Sequence, residues 1–279
     1  MAGRHQHARA HSDGGRRGSR QAEGGARPRP TRLRASGQPT LPLRFAVHRS
    51  SWRMGEVDHQ GIVPAQERLN VLNRDAFQCR YCEWPMTEAE AEIDHLDGNH
   101  GNNTIENLVT CCPFCHDWHH LGRPGIIEDT NLVWAPDFTP AQLINFMRAS
   151  FVAKAEQGSD INPGARVALS EIYTNGENSI KEALGAQDPA QFGACLVRLP
   201  FAQQPLVVQR LAGMHLVPSG VRKSISGADR FPDIVASWSA EGGAFEAQQP
   251  KTWKRIFNRV RPEVESAWKA LMRQMEELS

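Results

Sequence analysis

The sequence predicts an α+β chain in which a small cysteine-paired metal module precedes a mostly α-helical region. Three observations carry this. Two Cys-x-x-Cys pairs, Cys79/Cys82 and Cys112/Cys115, bracket a short strand-like stretch at 91–95. Pro113 stands inside the second pair, at a position that suits the first turn of a helix. From residue 139 onward, apolar residues recur at helical spacing.

The elements come in order along the chain. Residues 1–53 are Gly, Arg, Pro, Ser and His with few apolar side chains. They cannot bury enough surface to offset the entropy of ordering, so disorder is expected there and up to residue 63. Two readings of this stretch stand side by side. It is a basic nucleic-acid arm, or it is sequence upstream of a start at Met54, since Arg without a single Lys is what GC-rich codons yield. From 64 to 76 a helix is expected, opened by Pro64 and carrying Leu69, Val71 and Leu72. A knuckle and hairpin at 77–84 hold the first cysteine pair, 91–95 is a strand, and 97–104 is a Gly/Asn loop. Residues 105–109 lead into the second pair, and 113–121 form the helix of the metal module.

A strand is expected at 131–134. Thr139-Pro140 then caps an amphipathic helix to about 157, with Leu143, Ile144, Met147 and Phe151 on its apolar face. After a linker at 158–164, helices are expected near 166–173, 178–185, 189–199, 203–213 and 229–239. A last stripe at 251–278 contains Trp253, Phe257, Trp268 and Leu271 and is kinked or split at Pro262. The organisation expected is therefore 1–63 disordered, 64–157 metal module with its following strand and helix, and 158–279 helical.

At 279 residues the chain can hold one or two domains. No apolar run is long enough to cross a bilayer, and the Arg-rich start lacks the apolar stretch of a secretory signal. The formal charge of +1 hides an asymmetry. Twelve Arg against two acids leave +10 in residues 1–53. Of the 32 basic and 31 acidic residues, 20 and 29 fall in the remainder, a net of −9. Within 64–122, three Arg face ten acids, a net of −7. DNA binding draws most of its affinity from cations on phosphate, so nucleic acid is disfavoured as the partner of that module.

Four of the six cysteines form the paired knuckles, a metal spacing that suits a reducing cytoplasm. Cys79, Cys82, Cys112 and Cys115 are expected to hold one structural Zn²⁺ in a closed tetrahedral site, with no open position for chemistry. Cys111 precedes Cys112 directly, but the Cys-x-x-Cys register selects Cys112. Cys111 and Cys195 read as small buried residues.

The layout Cys79-Arg80-Tyr81-Cys82, Asp94-His95, Asn107, Cys112 to Cys115 and His116 resembles the HNH, or ββα-metal, endonuclease superfamily. That resemblance implies Asp94 and His116 as ligands of a second, catalytic metal, Mg²⁺ or Mn²⁺. It implies His95 as general base and Asn107 as the residue that orients it. His119 and His120 stand close by. The alternative is that Asp94-His95 serves the hydrogen bonding of the turn and the three histidines are a polar helix face. The loop after His95 is short and lacks the Pro and Gly-Gly common in such nucleases.

A wider resemblance covers roughly 64–240. Asp94-His95 followed by Gly101-Asn-Asn-Thr-Ile-Glu-Asn-Leu-Val-Thr-Cys-Cys-Pro-Phe-Cys115 is similar to the IcmJ/DotN family of type IVB secretion systems. Asn131-Leu-Val-Trp-Ala-Pro-Asp-Phe-Thr-Pro-Ala-Gln-Leu-Ile-Asn145, Ile172-Tyr173, Asp188-Pro-Ala-Gln-Phe-Gly193 and Leu216-Val-Pro-Ser219 come next in that family's order. The resemblance implies a non-catalytic, zinc-stabilised adaptor of a coupling complex. Its implied partners are a coupling ATPase of the FtsK/VirD4 type and other coupling-complex proteins. Its implied location is cytoplasmic and peripheral at the inner membrane, with membrane association only indirect. The 139–157 helix and the 251–278 stripe are the candidate contact surfaces, with ordinary core packing as the favoured alternative for each. An HNH endonuclease with His95 as base is the alternative function.

Overall fold

The computed structural model describes residues 39–47, 63–122, 128–156, 162–224, 226–240, 243–245 and 266. The stripe expected at 251–278 lies outside the described residues, apart from position 266.

Helix α1 (Ala65–Arg74) begins after Pro64 and has Glu67 in its first turn and Arg74 in its last, both matching the helix dipole. It ends on Asp75, which is fully buried. Asp75 accepts from Arg74 Nε at 2.8 Å, from the backbone N–H of Thr110 at 2.8 Å and from Arg80 at 3.3 Å. Burial would raise this carboxyl, but the Arg74 and Thr110 donors outweigh it and hold it below its ordinary value. One carboxylate thereby ties α1, the first knuckle and the second strand together.

Strands β1 (Glu92–His95) and β2 (Leu108–Cys111) pair antiparallel, with Glu92 opposite Cys111 and His95 opposite Leu108. Helix α2 (Pro113–His119) starts directly afterwards. The run is therefore β-β-α, the order that the resemblance to ββα-metal proteins implies. In the stretch expected to lead into the second cysteine pair, 105–107 form a turn pinned by Asn107 N–H on the Thr104 carbonyl, and β2 begins only at Leu108.

Strand β3 (Thr130–Trp134) pairs antiparallel with β4 (Met214–Pro218). All five residues of β4 are buried. No strand is expected there from sequence, since an apolar run buried on both faces has no alternation to reveal it. Helix α3 (Pro140–Ala155) begins with a reciprocal cap in which Thr139 Oγ1 accepts from Gln142 N–H and Gln142 Oε1 accepts from Thr139 N–H. It is buried nearly all round from Leu143 to Ala153, and so is a central core helix, not an amphipathic surface one.

The two helices expected at 166–173 and 178–185 are one, α4 (Asn162–Leu184). Gly176 makes this packing work. A Cβ there would lie 2.7 Å from Val133 Cβ, so only glycine lets the helix backbone approach β3. Helix α5 (Pro189–Leu196) is capped by Asp188. The stretch expected as a helix at 203–213 is α6 (Gln204–Val208) between two 3₁₀ turns, Phe201–Gln203 and Gln209–Leu211. Helix α7 (Phe231–Ser239) closes the described fold.

Residues 39–47 fall in the stretch expected to be disordered, yet they run extended across the metal module. Phe45 and Val47 are each 2 % exposed. Phe45 stacks on Trp118 at 4.3 Å, Ala46 N–H donates to the Trp118 carbonyl, and Gln204 bonds both the N–H and the carbonyl of Val47. Two apolar side chains and a ladder of backbone partners suffice to order a segment whose average composition argues for disorder. The remainder of 1–62 lies outside the described residues.

Aromatic contacts join the metal module to the C-terminal helical region. Trp84 beside the first knuckle meets Trp238 at 5.6 Å and Phe245 at 5.1 Å, and Phe114 meets Phe231 at 6.4 Å. Trp118 Nε1 donates to the Leu216 carbonyl.

Candidate metal centres

Two clusters of metal-binding side chains flank the β-β-α unit. The first is Cys79, Cys82, Cys112 and Cys115, all buried, with sulfurs within 4.8 Å of one another. Hydrogen bonds shape each knuckle. Cys79 N–H donates to the Trp84 carbonyl, and Glu83 N–H reaches back to the Cys79 carbonyl with Glu83 in the left-handed region at φ 60°. Cys112 caps α2, its sulfur accepting from Cys115 N–H at 3.4 Å.

The donor set fits zinc. A tetrahedral ion with Zn–S bonds of about 2.3 Å separates its sulfurs by about 3.8 Å. Cys82 Sγ and Cys112 Sγ, one from each knuckle, are 3.8 Å apart. The buried Arg148 of α3 donates to both, at 3.4 and 2.9 Å, as suits thiolates. Cys111 is fully buried but stands outside the cluster, and Cys195 is exposed where burial is expected.

The second cluster is Asp94, His116 and His120. Strand alternation puts Glu92 and Asp94 on one face of β1, toward α2, and His95 on the other. His116 and His120 stand four apart at the end of α2 and so share a face. Their Nε2 atoms are 2.9 Å apart, and His116 Nε2 is 3.8 Å from Asp94 Oδ1. Glu92 Oε2 lies 2.5 Å from His116 Nδ1. A proton held there leaves the Nε2 lone pair facing Asp94 and His120, the outer-shell arrangement of a metal-binding histidine. Asp94 Oδ2 accepts from both Tyr81 OH and His119 Nδ1 at 2.5 Å.

The charges are strongly coupled. Burial would raise Asp94, but the charge and hydrogen bond of His119, the charge of His116 and the Tyr81 hydroxyl hold it well below the usual carboxylate range. Burial would lower His116, but Glu92 and Asp94 push it up to about 9. A proton and a divalent cation therefore compete for the same nitrogen.

The structure thus brings Asp94 and His116 together and adds His120, to which the sequence pattern assigns no role of its own. The i, i+4 spacing is the signal that could have found it. His95 is separate. Its Nε2 lies 2.9 Å from Asn103 Oδ1, which can accept from it. Its ring approaches His100 at 5.1 Å, and His100 approaches His120 at 5.2 Å. Asn107 does not touch the His95 ring. Its side chain bonds Asp97 N–H, Asp97 Oδ1 and the Asn102 carbonyl, and its own carbonyl accepts from Leu96 N–H. It shapes the loop that leaves His95, through its side-chain bonds to Asp97 and Asn102 and its carbonyl on Leu96 N–H.

His95 and His119 open onto a cleft of about 320 Å³ between the 39–47 segment and the turn leading into α6. Leu41, Pro42, Phe45, Leu96, Phe201 and Pro205 make its walls apolar, and Arg44 is the charged residue among its lining. Asp94 and His120 do not line it and are 2 % and 4 % exposed.

Arg148 is the functional candidate that sequence reasoning misses. A lone Arg amid the apolar residues of 143–151 gives no signal of its own until the sulfurs are placed beside it.

The chain is similar to the type 4 apparatus protein DotN of Legionella pneumophila subsp. pneumophila, with 23 % identity over 208 residues. The match covers 74 % of this chain and 93 % of that protein. No protein-family model matches the chain.

Proposed function

For a chain that belongs with the DotN/IcmJ proteins, as the match across 93 % of the relative supports, we propose a zinc-stabilised adaptor in the coupling complex of a type IVB secretion apparatus. That match is the observation that carries the reading. Its partners are a coupling ATPase and the other proteins of that complex, and it sits in the cytoplasm against the inner membrane through them. Among the described residues, no helix is long and apolar enough to cross a membrane.

The residues support scaffolding over chemistry. Zn²⁺ at the four cysteines supplies folding energy on the order of 10 kcal/mol when bound. The sulfurs form a filled shell without an open position. The module they brace carries ten acids against three Arg, a poor surface for phosphate. Of the two contact surfaces expected from sequence, the 139–157 helix is core and is withdrawn as a docking face. The 251–278 stripe lies outside the described residues.

The second reading, an HNH endonuclease, is favoured by one observation: Glu92 holds His116 in the tautomer that faces Asp94 and His120. In it, Asp94, His116 and His120 would hold Mg²⁺ or Mn²⁺, and His95 would take the proton from water. Against it, two of the three ligands are buried, and His95 faces a cleft whose walls are apolar.

One pair of experiments separates the readings. The full chain is mixed with the coupling ATPase of its own secretion system and run on size exclusion; co-elution is expected, and separate elution removes the adaptor reading. In parallel, supercoiled plasmid is incubated with the chain and Mg²⁺ or Mn²⁺. Nicking that disappears in His95→Ala makes the protein a nuclease.

A further inference from the structure

Arg148 is a buried cation that neither proposed function requires. It projects from the middle of α3 and is 1 % exposed. Its guanidinium lies 4.3 Å from the Trp84 ring, 5.3 Å from Phe114 and 5.9 Å from Trp238. A cation in such surroundings is costly unless something compensates its charge. The ion pairs among the described residues do not include Arg148. Its N–H groups point instead at Cys82 Sγ and Cys112 Sγ, one sulfur from each knuckle. Asn145, one turn earlier on α3, accepts from Arg148 at 2.8 Å and donates to the Cys82 carbonyl at 2.9 Å.

A thiol carries no charge and accepts weakly, whereas a thiolate does both jobs that this guanidinium needs. Four thiolates and one divalent ion leave two net negative charges in a dry interior. Arg148 removes one of them.

We propose that Arg148 is the outer-shell cation of the four-cysteine centre, retaining the metal and damping the nucleophilicity of Cys82 and Cys112 by donating to both. This rests on the reading that the four cysteines hold zinc. The same contacts fasten α3 to both knuckles. Loss of the ion, with protonation of the sulfurs, strands the guanidinium among aromatic rings and loosens the central helix of the fold. The metal thereby governs packing well beyond its own knuckles.

The test compares full-length wild type with Arg148→Met and Arg148→Lys. Zinc per chain is measured first, then zinc release to an excess of a chromogenic chelator, then the absorption of the Co²⁺-substituted proteins. Release is expected to be about 10–100-fold faster in Arg148→Met, the usual effect of losing an outer-shell partner. Arg148→Lys keeps the charge with fewer donors and should fall between. The sulfur-to-cobalt charge-transfer band should move to lower energy in Arg148→Met, because thiolate lone pairs that lose an N–H donor rise in energy. A side chain that merely fills space leaves that band in place. Unchanged release and an unmoved band overturn the role of Arg148. Wild type without zinc overturns instead the metal reading on which it rests. If Arg148→Met does not fold, Arg148→Lys decides the matter on the same two readouts.

Discussion

Replacing Glu92 by Gln isolates the electrostatics of the second cluster. Glu92 Oε2 is 2.5 Å from His116 Nδ1, and His116 is held at about 9 against a burial that alone would lower it below 6.5. Glu92 does most to raise it, by hydrogen bond and by charge, with Asp94 next. Gln is nearly isosteric but uncharged. His116 should then titrate clearly lower than in wild type, because its largest raising partner is gone. The Glu92 side chain is 37 % exposed, so solvent screens part of the pairing. The sign follows from linkage. A histidine raised in the folded state contributes stability that is complete below 6.5 and is lost as the pH climbs through about 9. Wild type should therefore lose that increment between these limits, and Glu92→Gln should show a flatter profile. Long-range imidazole NMR from pH 5 to 10, without added divalent metal and assigned with His116→Gln, reads the titration directly. His116 titrating near 9 in both proteins would refute the assignment of Glu92 as its orienting partner.

Further outcomes are set by the packing. Gly176→Ala gains up to about 1 kcal/mol of helix propensity, but a Cβ 2.7 Å from Val133 Cβ must be relieved, and overpacking of this kind costs about 1–3 kcal/mol. Urea melts should show net destabilisation, and a variant as stable as wild type would mean that α4 moves freely on β3. Phe45→Ala removes a ring that is 2 % exposed and stacked on Trp118, so a loss of about 3 kcal/mol is expected in thermal or urea unfolding. No loss would return 39–47 to the disorder its composition suggests. Stripping zinc with a strong chelator should abolish cooperative unfolding of the whole described fold, since α3 and Trp84 share one core with the cysteines. A transition unchanged by chelation would show that the knuckles do not support that core.

What could be read without coordinates was whatever depends on local spacing. The Cys-x-x-Cys pairs and the Thr139-Pro140 helix start are each written within a few residues. Burial of Leu143, Ile144, Met147 and Phe151 followed from their period, and the strand expected at 131–134 is found at Thr130–Trp134. The Asp94, His116 and His120 cluster was half legible. Asp94 and His116 emerged from a known pattern, while His120 and the Glu92 support needed the β1 and α2 faces brought together.

Sequence by itself determined the pairing of the four cysteines and the acidic character of the stretch around them, and its resemblance to ββα-metal proteins implied the β-β-α order. These are properties of neighbours along the chain and of charge, which folding does not alter. Tertiary structure alone decided the rest. It turned a helix with a single apolar stripe into a core helix by surrounding it on every side, and it ordered 39–47 by giving Phe45 and Val47 a place to be buried. It also set Arg148 beside Cys82 and Cys112, residues far apart in the chain. A buried cation is tolerable only where a counter-charge meets it, and a linear sequence does not record which groups will meet.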